Sequence, residues 1–178
     1  MVHSLELVFD DAAAAAVVAE VNRLSAAGLR APHTDQRPHI TLVAARAIGP
    51  SALTALAPVS QRLPATVRLG APIVFSPGAA GSHGGFVLAR AVVPSTELLG
   101  IHATVLRLAG EHIDGDVDHC RPGAWTPHVT LARRLTAEQV GAAVDVLADA
   151  GDFEAVAAGI RRWDGDTKAE TVLPGRAC

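Results

Sequence analysis

The sequence is poor in the residues that several protein classes depend on. It has no Tyr, four Phe and two Trp, so we do not expect a broad surface for stacking single-stranded nucleobases. Cys120 and Cys178 are its two cysteines, too few for a disulfide framework or for the close ligand pairs of a zinc site. The 15 basic residues do not exceed the 18 acidic ones, so extended binding to duplex nucleic acid is not expected either.

Long uncharged apolar runs are also missing. No stretch approaches membrane-spanning length, and the first residues lack the basic segment of a signal peptide. We therefore expect a cytoplasmic protein without a membrane partner. Hydrophobic residues make up 49% of the 178 residues, which is enough for a core. We expect a single domain over 1–178. We also expect a monomer.

The order of predicted elements occurs twice. In the first unit a strand at 2–9, a helix at 12–27, a strand at 39–44, a helix at 51–62 and extended chain at 65–76 follow one another. The second unit repeats them as a strand at 86–93, a helix from 94, a strand at 128–133, a helix at 136–148 and extended chain from 153. The repeat predicts an internally duplicated α+β fold with antiparallel-type sheets flanking a central groove. Its two lobes, 1–77 and 85–178, would be related by a pseudo-two-fold axis, with the Gly-rich stretch 78–85 as the turn between them.

One pentapeptide occupies the same place in both units. Residues 38–42 read PHITL and residues 127–131 read PHVTL. Random ordering of this composition would give roughly 0.003 copies of Pro-His-x-Thr-Leu per chain, so chance does not account for two. Duplication of a purely structural strand is the alternative, but a paired His and Thr is a poor choice for a structural face. The repeated pattern therefore favours function.

Strand geometry gives this pattern a chemical meaning. Side chains alternate between the faces of a strand, so His39 and Thr41 share one face, as do His128 and Thr130. Across a groove, one neutral imidazole can remove a proton and a protonated one can donate a proton. The threonine hydroxyls can hydrogen-bond the non-bridging oxygens of a phosphate. This set can cleave a phosphodiester without a metal or another cofactor.

The two motifs, 89 residues apart in a duplicated α+β chain, resemble those of the 2H phosphoesterase superfamily. Within it the chain is similar to the bacterial 2′-5′ RNA ligase-like proteins, also called RNA 2′,3′-cyclic phosphodiesterases. The resemblance spans nearly the whole chain in layout, and its specific part is the two pentapeptides. The aromatic residues usual after the first motif are replaced here by 43–46 (VAAR).

The resemblance implies an enzyme that hydrolyses 2′,3′-cyclic phosphates on RNA ends or nucleotides, with reversible 2′-5′ RNA ligase activity as an associated reaction. It implies His128 as the base that activates water and His39 as the acid that protonates the leaving oxygen, with Thr41 and Thr130 on phosphate and no metal. The near-symmetry of the sequence leaves open which histidine is which. Two alternatives remain: a hydrolase of another diester, such as ADP-ribose cyclic phosphate or 2′-5′ oligoadenylate, and a non-catalytic module that binds nucleotides or RNA ends.

Three further residues are candidates for substrate contact. Strict alternation places Arg134, and not Arg133, on the His128 face, whereas the family favours arginine at the position of Arg133; a β-bulge would reconcile the two. Trp125 lies three residues before His128, where it either covers a base or sugar or packs in the fold, and packing is favoured. His102, among leucines on a helix, is expected to be a buried histidine with its hydrogen bonds satisfied.

Overall fold

The computed structural model of the chain describes residues 2–30, 37–78 and 84–176. Most of the predicted turn at 78–85 therefore lies outside the described residues, as does Cys178. The strands are β1 (His3–Phe9), β2 (His39–Ala45), β3 (Ala47–Ile48), β4 (Ala65–Phe75), β5 (Phe86–Val92), β6 (Ile113–Asp114), β7 (His128–Leu135), β8 (Phe153–Asp164) and β9 (Ala169–Pro174). The helices are α1 (Asp11–Ala26), α2 (Ala52–Ala55), α3 (Ala57–Ser60), α4 (Thr96–Ala109) and α5 (Ala137–Val146), with single 3₁₀ turns at Gly110–His112 and Asp118–Cys120.

The longer helices begin at polar caps that the sequence specifies. The Asp10 carboxylate accepts from the backbone N–H of Ala13 at the start of α1, and the Ser95 hydroxyl accepts from Leu98 at the start of α4. The predicted capping box of Thr136 and Gln139 is confirmed at the start of α5. Each cap satisfies an N–H group that has no partner inside its helix.

The predicted single helix at 51–62 is wrong. Two four-residue helices, α2 and α3, occupy this segment, and Ser51 makes no side-chain cap. Pro58 is the physical reason. Its nitrogen carries no hydrogen, and its ring clashes with the carbonyl four residues earlier, so the second helix has to start anew with Pro58 in its first turn.

Seven strands form one antiparallel sheet in the order β2-β1-β8-β4-β5-β7, with β9 paired to β8. The α+β class predicted from the sequence is confirmed. The last long strand of each half pairs with a strand of the other half. In the first half this strand is β4, which lies beside β5, and in the second half it is β8, which lies beside β1. The division into lobes at 1–77 and 85–178 stays a prediction, and these strand exchanges interlock the two halves.

The sheet divides along β8. The first part of β8 pairs with β4 up to Ala157, and from Gly159 onward it pairs with β9. A Cβ on Gly159 would lie 3.0 Å from the carbonyl oxygen of Leu173, so this position favours glycine where β9 joins the sheet.

The two motif strands, β2 and β7, are the outermost strands of the main sheet order, yet they approach each other with Cα–Cα distances of 8 Å or less. The sheet must curve strongly to bring its two ends together. Buried side chains from both halves form one hydrophobic core behind the motif strands. That core includes Ile40, Leu42, Val129 and Leu131.

Candidate active site

The predicted alternation along the motif strands is confirmed. Ile40, Leu42 and Leu131 have no exposed surface and Val129 has 1%. His39, Thr41, His128 and Thr130 are all half-buried, on the opposite face. Each motif therefore anchors one face in the core and turns an imidazole and a hydroxyl away from it.

The same β-bulge follows both threonines. On β2, Thr41 pairs with Glu6 and Val43 with Leu5, which leaves Leu42 as the extra residue. On β7, Thr130 pairs with Ala89 and Ala132 with Leu88, which leaves Leu131 extra. The bulge reverses the alternation beyond this point. The register of β1 against β2 thus recurs in β5 against β7.

The two histidine rings are held in the same way. His39 Nδ1 lies 2.9 Å from the carbonyl oxygen of Arg37, and His128 Nδ1–H donates to the carbonyl of Thr126 over 2.8 Å. A proline stands between the histidine and the carbonyl residue in each case and favours extended backbone before it. Since a carbonyl can only accept, Nδ1 of His128 carries a hydrogen, whereas Nδ1 of His39 also lies 3.0 Å from Arg161 Nη2, a donor. In both rings Nε2 is the nitrogen turned away from the motif backbone.

The surroundings of His128 are apolar and cationic. The ring of Phe75 lies 4.6 Å from the imidazole, centroid to centroid. Burial lowers the pKa of His128 below its usual value, and the positive charges of Arg133 and His39 add to this against the opposing hydrogen bond to Thr126. His128 is therefore neutral at neutral pH, with an unprotonated Nε2.

The surroundings of His39 are charged. Its Nε2 lies 3.4 Å from Oε1 of Glu6, whose side chain is 5% exposed. Arg161 Nε donates to the second oxygen of Glu6 over 2.6 Å, and the Ser4 hydroxyl donates to Oε1 over 2.6 Å. Arg161 also donates to Glu170 on β9 over 3.0 Å.

Arg133, and not Arg134, contacts the motif threonine. Its Nη2 donates to Thr130 Oγ1 over 3.4 Å, because the bulge at Leu131 carries Arg133 back to the Thr130 face. Strict alternation, which favoured Arg134, fails here for that reason. Arg134 lies in a second irregularity of β7 and has a φ of 57°. Ala44 occupies the position in β2 that corresponds to Arg133, so the arginine is present on one side only.

Trp125 connects the two motif regions. Its indole N–H donates to the carbonyl of Thr41 over 2.9 Å, and its ring stacks on His102 at 3.8 Å between centroids. One face of the indole thus packs against His102, and a contact between Trp125 and a substrate stays a prediction.

His102 is buried as expected, but its Nε2 has no hydrogen-bond partner among the described residues, so the expectation of a satisfied histidine is wrong for that atom. Burial lowers the pKa of His102.

One group of side chains has the composition of a metal site: His3, Asp164 and Asp166, whose ligand atoms lie within 4.8 Å of one another. Asp164 already accepts from two backbone N–H groups and from Arg162. These bonds hold the turn between β8 and β9. The motif histidines and threonines belong to no such group among the residues described.

Three residues near the motif histidines carry no prediction from the sequence: Glu6, Arg161 and Phe75. A weak signal existed for Glu6, since it is a carboxylate between Leu5 and Leu7 in a strand that is buried on both faces. Nothing local marks Arg161 or Phe75, which approach the motif histidines only through the folding of the sheet.

The sequence model of the 2′-5′ RNA ligase superfamily matches residues 9–167. The chain therefore belongs to the 2′-5′ RNA ligase superfamily, the group of two-histidine phosphoesterases that its motifs resemble. No curated protein sequence matches it significantly.

Solved structures share the fold at low identity. Usb1 of Kluyveromyces marxianus is 14% identical, with a TM-score of 0.54 over 97% of this chain and 97% of that one. TT0787 of Thermus thermophilus is 20% identical, with a TM-score of 0.58 over 97% of this chain and 95% of that one. E. coli LigT, solved in complex with 3′-AMP, is 13% identical, with a TM-score of 0.56 over 98% and 94%.

Membership of this superfamily supports an enzyme that acts on phosphodiesters. Among the described residues no helix is long and apolar enough to cross a membrane.

Proposed function

We propose that this protein hydrolyses 2′,3′-cyclic phosphates of nucleotides or RNA ends by acid–base catalysis with two histidines. The observation that carries the proposal is the pair of His-x-Thr faces at the two ends of one curved sheet, each ring oriented by a contact between Nδ1 and the carbonyl two residues earlier. The superfamily match supports the reaction class. The cyclic phosphate comes from the resemblance of the motifs.

The neutral ring of His128 suits the role of base. Its Nε2 would take a proton from water as the water oxygen attacks phosphorus. His39 would donate a proton from Nε2 to the 2′ or 3′ oxygen as its bond to phosphorus breaks. The proton gained by His128 replaces the one lost by His39 once the two exchange protons with solvent, so the cycle is balanced.

Thr41, Thr130 and Arg133 would hold the non-bridging oxygens, where negative charge gathers in the transition state. None of these steps requires a group from outside the chain. We therefore expect hydrolysis to continue in the presence of EDTA.

The test replaces each histidine separately. His39→Ala and His128→Ala should each lower kcat/KM for 2′,3′-cyclic nucleotides by about 10²- to 10⁴-fold, the usual contribution of a general acid or base. The exposed His119 provides the matched control, and His119→Ala should keep full activity. Near-normal turnover by both motif variants, with folding checked by circular dichroism, would refute the proposal.

A substrate panel separates this function from its alternatives. The panel contains 2′,3′-cyclic nucleotides, ADP-ribose 1″,2″-cyclic phosphate and 2′-5′ oligonucleotides, with products identified and ligation assayed in the reverse direction. The short, non-aromatic segment 43–46 favours testing the smaller diesters alongside RNA ends. Tight calorimetric binding of a 2′-nucleotide without turnover of any diester would instead favour a binding module.

A further inference from the structure

A cavity lies beside the first motif, on the same face of the sheet as His39. Its volume is about 300 Å³, at the lower end of the range for ligand pockets. Val8 and Gly159 line it, and the strand register pairs Val8 with His39 on one side and with Gly159 on the other. Directly paired residues of antiparallel strands point to the same face, so the cavity begins one strand spacing, roughly 4.8 Å, from the motif histidine.

The strand β9 extends this face beyond β8. Pro174 pairs with Gly159, and Val172, two residues earlier on β9, points to the same side. Both line the cavity, and Val172 is 39% exposed. Gly159 has no side chain to fill the space, and a Cβ there would lie 3.6 Å from Cγ2 of Val8. Together these four residues form an open apolar floor.

Two side chains of opposite charge also line the cavity. Arg37 precedes the first motif, and Asp11 is the first residue of α1. Both are exposed, and neither makes an ion pair or a side-chain hydrogen bond within the described part of the chain. Asp10 lines the cavity too, but its carboxylate accepts from the backbone N–H of Ala13. Arg37 and Asp11 thus share one cavity without pairing, which leaves space for a ligand between them.

A nucleotide bound at the motif histidines can reach this cavity with its base. The ribose separates the phosphate from the base by a length comparable to the one strand spacing between His39 and the cavity. The faces of a base are flat and suit the apolar surface of Val172 and Pro174. Its edges carry donors and acceptors, which suit the charged side chains that line the cavity.

Among the four bases, guanine matches both charges. Its O6 and N7 accept together from an arginine, the commonest specific contact to guanine. Its N1–H and exocyclic amine both donate, and a carboxylate accepts from such a pair. Adenine carries a donating amine next to N7, which opposes a guanidinium. Cytosine and uracil have no N7 and offer an arginine no such pair of acceptors.

We propose that this cavity, between Arg37 and Asp11, is a nucleobase subsite that prefers guanine. The proposal rests on the proposed function, because it requires the phosphate to lie at the motif histidines. It goes further by naming the base of the substrate. It is the same whichever motif histidine acts as acid.

Isothermal titration calorimetry tests the preference without turnover. The probes are the 2′- and 3′-phosphates of guanosine and of adenosine. The wild-type protein should bind the guanosine nucleotide about 10-fold more tightly than the corresponding adenosine nucleotide, as one bidentate contact to a base provides. Equal affinities, tighter binding of adenosine nucleotides or no binding of either base would overturn the proposal.

Two variants assign the preference to the cavity. Arg37→Ala and Asp11→Asn should each weaken binding of the guanosine nucleotide about 10-fold and that of the adenosine nucleotide less than about 3-fold. The matched controls Arg107→Ala on α4 and Asp145→Asn on α5 replace exposed charges that do not line the cavity, and both affinities should stay within about 2-fold. Equal weakening of both nucleotides by the cavity variants, or an unchanged guanine preference, would contradict the proposal.

Turnover separates the failure of this proposal from that of the proposed function. With the four 2′,3′-cyclic nucleotides as substrates, kcat/KM should be highest for the guanosine compound, and Arg37→Ala should remove most of that difference. If the protein hydrolyses no diester but still prefers guanosine nucleotides in calorimetry, the proposed function fails and the subsite is supported. If it hydrolyses and binds all the nucleotides equally well, the subsite is refuted and the proposed function is supported.

Discussion

At the residue scale, His39 and His128 share a contact between Nδ1 and the carbonyl two residues earlier, and they differ in their neighbours. The shared contact orients both rings and turns Nε2 away from the motif backbone. Phe75 and Arg133 lie beside His128, whereas Glu6 and Arg161 lie beside His39. Burial and the positive charge of Arg133 lower the pKa of His128, which suits that ring to the role of base.

A first prediction concerns the acid limb of the pH profile. Activity should be lost as His128 gains a proton, and because burial lowers its pKa this loss should occur below pH 6.5. Phe75→Ala admits water beside the ring, raises the pKa of His128 and should move the acid limb of kcat/KM to higher pH. Phe75→Leu keeps the site apolar and should leave the limb in place. A wild-type limb at or above pH 6.5, or a downward shift in Phe75→Ala, would count against this account.

At the element scale, the bulges on β2 and β7 decide which side chains accompany the threonines. Each bulge adds one residue after the motif threonine, and on β7 this turns Arg133 toward Thr130. On β2 the same position holds Ala44, so the first motif has no arginine at the corresponding place. Trp125 links the elements further, since its N–H reaches the backbone of β2 from the segment that precedes β7.

The bulge on β7 yields a prediction that contrasts two adjacent arginines. Arg133→Ala should lower kcat/KM about 10- to 100-fold, the value of one charge-assisted hydrogen bond to phosphate. Arg134→Ala should change kcat/KM by less than about twofold, because Arg134 lies in the second irregularity of β7 and the bulge at Leu131 turns Arg133, not Arg134, to the Thr130 face. The reverse order of effects in steady-state kinetics would show that strict strand alternation, and not the bulge, describes the site.

At the scale of the whole molecule, the halves are held together by exchanged strands and by a buried ion pair. Arg90 on β5 has no exposed surface and binds Glu20 on α1 through two nitrogens. It also donates to the carbonyls of Gly70 over 2.7 Å and Ala150 over 3.2 Å. One guanidinium on β5 thus joins α1, β4 and the segment that follows α5.

Breaking this pair should destabilise the fold strongly. Glu20→Ala leaves the charge of Arg90 buried without its partner, and the free energy of unfolding should fall by about 3–5 kcal/mol. Asp152→Ala breaks the exposed Arg68–Asp152 pair at 3.3 Å and should cost less than about 1 kcal/mol. Urea unfolding followed by circular dichroism compares the two. Equal losses of unfolding free energy in both variants would mean that the buried Arg90–Glu20 pair stabilises the fold no more than an exposed ion pair does.

Much of the architecture follows from local chemistry. The caps at Asp10, Ser95 and Thr136 start three helices where the sequence predicts them, since a side-chain oxygen beside free N–H groups acts over three residues. Pro58 shows the limit, because the helical pattern from 51 to 62 predicts one helix, whereas the proline separates this segment into two short ones. Strand alternation also sufficed to place His39 with Thr41 and His128 with Thr130.

The sequence by itself therefore determined the α+β class, the two His-x-Thr faces and the apolar residues that anchor them. These depend on side-chain identity and on the period of a strand, both of which are local. The tertiary structure decided the rest: the order of strands, the bulges, and the approach of Glu6 and Arg161 to His39 and of Phe75 to His128. Those contacts join residues as much as 155 positions apart, as Glu6 and Arg161 are, and they exist only once the sheet has curved. The motif specifies two equal histidines, and long-range contacts make them unequal.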